Sequence, residues 1–196
     1  LEEMQGHGVD GGFGLITIDL KNAGRVHVWA DLHLQEEFPA ETEAFALELE
    51  ECVQGPGTLV IAGDLFNAWT GRGQWEWPVF QPLARALEAL KEKRVRVILL
   101  RGNRDVLLEP VDGDGVGADV ADGVVFSAGG RSILLTHGDE YCLNDKPYQR
   151  LRHFLRAQPV RWALRSLPGF VRRAIARFLR RTSQAAMARK PLDSMA

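Results

Sequence analysis

Asp31-Leu32-His33, Gly63-Asp64, Gly102-Asn103-Arg104-Asp105 and His137-Gly138-Asp139 follow one another at near-even intervals along the chain. Carboxylate and amide oxygens with imidazole nitrogens are the donors that hold hard and borderline divalent cations. Asp31, His33, Asp64, Asn103 and His137 together can chelate two such ions, with Asp64 as the bridge. A cation pair activates water and neutralises charge gathering on phosphate oxygens, so the expected chemistry is metal-assisted phosphoester hydrolysis. One Gly-Asp after a strand is often only a turn or a helix cap. Four such strings in order, each closing an apolar run, point to a built site.

Those runs are Val26 to Ala30, Thr58 to Ala62, Val95 to Leu100 and Ile133 to Thr136, all β-prone. Ligands at strand ends converge, because the carboxyl ends of neighbouring strands in an α/β sheet share one crevice. Between the strands, Ala40 to Val53 carries Phe45, Leu49, Cys52 and Val53 at helical spacing. Val79 to Lys93 repeats the device with Phe80, Leu83, Leu87 and Leu90 on one face. The result expected is a layered α/β core. Leu15 to Ile18 reads as an extra strand ahead of it, and Gly123 to Phe126 with Ser132 to Thr136 as strands joined through Gly129-Gly130. The stretch around Val111-Asp112-Gly113-Asp114-Gly115 lacks the spaced carboxylates of a calcium loop and is expected to be an exposed turn.

The net charge of −2 conceals a division. Residues 1–145 hold 11 basic and 25 acidic side chains, residues 146–196 hold 13 and 1, giving −14 against +12. From Lys146 the chain reads as short helices punctuated by Pro159, Pro168 and Pro191. Within Phe170 to Arg181 the apolar residues share one face and arginines take the rest. Such a helix suits an anionic membrane surface, or docks on the core with a solvated basic face. Cys52 and Cys142 have no paired metal or redox spacing and are expected to be structural thiols in a reducing compartment. No long apolar run opens the chain, so neither signal peptide nor membrane span is expected, and residence is read as cytoplasmic. His7, His27 and His153 fall outside the ligand spacing.

From about Val26 to His137, the order Asp-x-His, Gly-Asp, Gly-Asn, His-Gly resembles the calcineurin-like metallophosphoesterases. That resemblance implies a two-sheet core flanked by helices. Arg104 stands where most of the superfamily has a His that protonates the leaving group. With this departure, Gly63 to Trp69, Arg101 to Asp105 and Thr136 to Cys142 look like the UDP-2,3-diacylglucosamine diphosphatase family of lipid A biosynthesis, and the likeness continues through Asp145, Tyr148, Gln149 and Arg150. The family implies hydrolysis of the UDP-sugar pyrophosphate to UMP and 2,3-diacylglucosamine 1-phosphate, with two Mn2+ ions, on the cytoplasmic face of the inner membrane. It implies Asp64 and Arg104 as catalytic, and Asn103, Arg104, Asp145, Ser183 and Lys190 as substrate-binding. Met187 stands where the family usually has Asn.

The organisation expected is an N-terminal extension over 1–24, the core over 25–145, a basic helical insertion over 146–190 that caps the substrate, and the start of further core at 191–196. The superfamily's later Gly-His-x-His string has no counterpart, so the chain is expected to be a piece of a longer protein, weak in turnover by itself, rather than a degenerate member. Two rival functions remain: a general two-metal phosphodiesterase or phosphatase acting on other nucleotides, and an inactive basic module on a membrane. No aromatic ladder alternates with the arginines, which argues against nucleic acid as a partner.

Overall fold

The computed structural model describes residues 14–187. Strands β2 (Arg25–Trp29), β3 (Gly57–Ile61), β4 (Val95–Leu100) and β5 (Ala118–Ala121) form one parallel sheet in that order. β1 (Leu15–Asp19) pairs in parallel with β6 (Gly123–Ala128), which pairs antiparallel with β7 (Arg131–Thr136), making a second sheet. Residues 15–19, ahead of the expected core boundary, are therefore in register with β6 over five positions.

Period-two alternation explains how the layers stack. Leu59, Ile61, Val97 and Leu99 point to one side of the four-stranded sheet and pack with α1 (Pro39–Cys52) and α2 (Gln81–Glu92). Val60, Ala62, Ile98 and Leu100 point to the other side and meet Ile18, Val124 and Phe126 of the second sheet. Both faces being covered, β3 from Leu59 and β4 from Val97 read as continuous apolar runs. The helices bury matching stripes: Thr42, Phe45, Ala46 and Leu49 on α1, and Leu83, Ala86, Leu87 and Leu90 on α2. Ile98, wholly buried between the sheets, tests this packing. Ile98→Val should lower unfolding free energy by about 1 kcal/mol in a denaturant titration, because one methyl is lost and its space only partly refills.

The remaining helices are α3 (Pro110–Gly113), α4 (Lys146–Arg156), α5 (Gln158–Ser166) and α6 (Gly169–Met187). Pro147, Pro159 and Pro110 stand in first turns, where a missing N–H costs nothing, so these prolines start helices.

Two expectations are corrected here. The stretch around Asp112 is only in part exposed: Val111, Asp114 and Gly115 are, but it forms α3 and Asp112 within it is 0% exposed. Its carboxylate accepts from the Glu109 backbone N–H in a capping box, from Trp69 Nε1, and from Arg165 Nη1 at 2.6 Å and Nη2 at 3.2 Å. A loop sequence rich in Gly and Asp is here the anchor of a distant arginine. Cys52 and Cys142 are exposed free thiols, so neither is packed into the core.

Apart from the exposed Arg150, the arginines of α4 and α5 turn inward. Arg152 donates through Nε to Asp139, and Arg156 pairs with Asp122 and Asp139. Arg161 pairs with Glu109, and Arg165 with Asp112. Much of the charge division along the chain is thus an attraction between the helical segment and the core beneath it.

Candidate metal centre

Asp64 is the centre of the site and is 2% exposed. It follows β3, and its carboxylate lies between two imidazoles: His33 Nδ1 is 3.6 Å from one oxygen, His137 Nε2 is 3.7 Å from the other. Asp31 completes a group with His33 and Asp64 whose ligand atoms all lie within 4.8 Å of one another. Three strand ends of the first sheet supply Asp31, His33, Asp64 and Arg104. His137 arrives from β7 of the second sheet, so the crevice is a seam between sheets rather than the edge of one.

Backbone strain marks the same residues. Asp31, His33 and Asp64 adopt left-handed conformations, with φ of 55°, 51° and 53°. That region costs L-residues about 1–2 kcal/mol each and persists where surroundings enforce it. The enforcement is visible: Asp31 N–H donates to Gly63 O at 3.2 Å, and His33 N–H to Asp64 O at 2.9 Å. The two loops therefore continue the pairing of β2 with β3 while bringing three ligand side chains together.

The glycines of the strings have a steric cause. A Cβ on Gly63 would strike the His137 ring, and one on Gly102 would strike the Asp64 carboxylate. At Gly63, φ of 91° also favours glycine.

Electrostatics fit a cation. Burial pushes the Asp64 carboxyl above its ordinary range, opposed by the Arg104 backbone N–H at 2.9 Å and by the charges of His137, His33 and Arg104. His33 Nδ1 is buried without a hydrogen-bond partner. His137 Nδ1 lies 3.0 Å from Ala62 O. A carbonyl only accepts, so Nδ1 is the donor there and Nε2, which faces Asp64, is the nitrogen placed to coordinate a metal. A buried carboxylate faced by two imidazole nitrogens is a donor set that divalent ions fit.

Asn103 and Arg104 line an adjoining cavity of about 210 Å³. Arg104 Nε is 3.8 Å from Asp64, and its Nη1 donates to Asn67 Oδ1 at 3.1 Å, so the fork is held at the cavity mouth. Leu151, Leu155, Leu164, Ile175 and Leu179 make the far wall apolar. Asp145 lies at the start of α4 and accepts from Tyr148 N–H as its N-cap. Ser183 belongs to α6, and Lys190 lies outside the described residues. His153 is exposed on α4 with Nδ1 2.7 Å from Gln149 O, and His27 stacks on Trp29.

Three residues were present in the sequence without a role and have one in the structure. Asp105, fully buried, accepts from Gly102 N–H at 2.6 Å and Leu65 N–H at 3.0 Å, tying the loops after β3 and β4 together. Burial and the neighbouring Asp64 charge push its carboxyl up to about 6. Asp139 accepts from Tyr148 Oη and Arg152 Nε, both at 2.7 Å. Burial alone would raise its pKa, but these bonds and the Arg156 charge hold it below the ordinary value. Arg172, whose guanidinium lies against Gly71 where a Cβ would collide, lines the apolar cavity.

Comparison with known proteins bears on this arrangement. The chain is 39% identical over 165 residues to UDP-2,3-diacylglucosamine hydrolase of Stutzerimonas stutzeri, a match covering 84% of this chain and 68% of that protein. It is 39% identical over 157 residues to the protein of the same name from Pseudomonas putida strain W619, covering 80% and 65%. Against the Pseudomonas aeruginosa strain UCBPP-PA14 protein, also of that name, identity is 37% over 166 residues, covering 84% and 68%. The chain thus spans about two thirds of the length of these relatives. The model of the calcineurin-like phosphoesterases matches residues 24–166, which include every ligand candidate from Asp31 to His137, and the chain belongs to that family.

Proposed function

We propose that the protein hydrolyses the pyrophosphate bond of UDP-2,3-diacylglucosamine, releasing UMP and 2,3-diacylglucosamine 1-phosphate. The observation that carries this is a buried carboxylate between two imidazoles, opening past Arg104 into a cavity with an apolar wall. The relatives' names point to the same substrate.

Asp31, His33 and Asp64 would hold one divalent ion, and Asp64, Asn103 and His137 a second, with Mn2+ the expected metal. When bound, the pair supplies an activated water and charge neutralisation at phosphate oxygens. The chain's own residues do the rest. Arg104 presents parallel N–H donors to a phosphate oxygen, and Asn67 fixes their plane. Leucines and isoleucine of α4, α5 and α6 exclude water from the acyl arm. Asp145, Ser183 and Lys190 are assigned to the sugar side, with residues 146–190 acting as a cap over the 25–145 core.

No helix among the described residues is long and apolar enough to cross a membrane. Trp162, Phe170 and Phe178 are 74%, 68% and 67% exposed on α5 and α6, beside basic residues. Aromatic and cationic side chains together suit a peripheral seat on the cytoplasmic face of the inner membrane, where the lipid substrate resides.

The test compares release of UMP from the diacylated sugar nucleotide with turnover of a deacylated analogue and of bis(p-nitrophenyl) phosphate. The diacylated compound should react fastest by far. Equal rates on all three would replace the lipid substrate with general phosphodiester hydrolysis. In the same assay, Arg104→Ala should lower kcat/KM by about 10²-fold, the worth of a charge-assisted bidentate contact, with metal content unchanged. Loss of metal in that variant would make Arg104 part of the ion site instead.

A further inference from the structure

A second cavity, of about 80 Å³, adjoins the apolar one. Asn67 and Ala68, three and four residues beyond Asp64, and Ala176 of α6 line both and so stand between them. The two sides differ in chemistry. Helix α6 presents Arg172, Ile175 and Leu179 to the first cavity, and Arg173 and Arg177, one turn apart, to the second. Glu36 and Glu37, three and four residues after His33, and Gln35 line the second cavity's other side.

Asn67 connects this cavity to the phosphate grip. Its Oδ1 accepts from Arg104 Nη1 at 3.1 Å and its Nδ2 donates to Gln35 Oε1 at 2.7 Å. A pyrophosphate held at Arg104 would therefore send one arm into each cavity. An acyl arm fits the leucine-lined side. The second cavity has groups that a nucleoside can use: carboxylates that accept from ribose hydroxyls and a planar cation. That cation is Arg173, whose guanidinium lies over the Trp77 ring at 5.0 Å from its centroid and offers a flat platform for a base.

We infer that the Gln35–Glu37 loop and the Arg173/Arg177 face of α6 form the subsite for the nucleoside monophosphate half of the substrate. This rests on the diphosphatase reading above. Glu36, Glu37 and Arg177 are exposed, so their substitution leaves the fold intact. The experiment measures product inhibition by UMP and by 2,3-diacylglucosamine 1-phosphate in wild type, in Glu36→Ala/Glu37→Ala and in Arg177→Ala. Each variant should raise the inhibition constant of UMP about tenfold, the loss of one charge-assisted hydrogen bond. The constant for the lipid product, and turnover of bis(p-nitrophenyl) phosphate, should hold. UMP inhibition within about twofold of wild type in both variants would overturn the subsite while leaving the diphosphatase reading in place. Failure of the wild type to release UMP from the diacylated substrate would overturn both.

Discussion

Asp64→Asn is expected to abolish hydrolysis, by about 10³-fold or more, while leaving the metal-free protein as stable as the wild type or more so. The first half follows from position: this one carboxylate faces both imidazoles and the Arg104 guanidinium, so its removal would take a ligand from each of the two proposed ions. A loss of that size corresponds to about 4 kcal/mol of transition-state stabilisation. The second half follows from burial. Desolvation raises the Asp64 pKa, so without metal the ionised carboxylate is a cost to the fold. Asparagine keeps the shape and can still accept from the Arg104 backbone N–H. Activity assay, metal analysis and a melting curve on the same sample separate this from simple unfolding. A variant inactive because it is unfolded, or one retaining a tenth of the rate, would contradict a bridging role.

Asp112→Ala should destabilise the protein by about 3–5 kcal/mol, since truncation leaves the Arg165 guanidinium partly buried without its partner. Trp69 Nε1 and the Glu109 backbone N–H lose an acceptor in the same step. The effect should be strongly non-additive with Arg165→Met, because removing both charges removes the unpaired ion. Denaturant unfolding of the two single variants and the double variant gives the coupling directly. Additive effects would mean that Arg165 is solvated independently of Asp112, and that α5 is not anchored there.

The strands that carry the ligands were legible because β3 and β4 are covered on both faces and so end in continuous apolar runs, Leu59–Ile61 and Val97–Leu100. Asp64 and the Gly102-Asn103-Arg104-Asp105 string stand immediately beyond such runs, which is why their convergence could be read. Three things could not be. The β6–β7 hairpin itself was legible, but the sheet it joins depends on β6 pairing with β1, a long-range choice that apolarity does not encode, so the ligands were read as converging at neighbouring strand ends of one sheet. The arginines of α4 and α5 showed which face was charged but not what that face meets. They meet Asp139, Asp122, Glu109 and Asp112 of the core. Asp112 was read as a turn residue because Gly and Asp around it are turn formers, and only the arriving guanidinium explains its burial.

Loop strain was equally silent in the sequence. Nothing in Asp31-Leu32-His33 announces that both ends take positive φ, yet this is how one short loop aims two donors at Asp64. The glycines beside the ligands carry a related message. Gly63 and Gly102 serve less as turn formers than as space for His137 and Asp64.

The central claim is that side chains from two sheets share a pair of cations through Asp64. Electron paramagnetic resonance of the protein titrated with Mn2+ tests it most directly. The account predicts two ions per chain with an exchange-coupled spectrum that collapses in Asp64→Asn. A single uncoupled ion, or a coupled pair unaffected by that substitution, would contradict it.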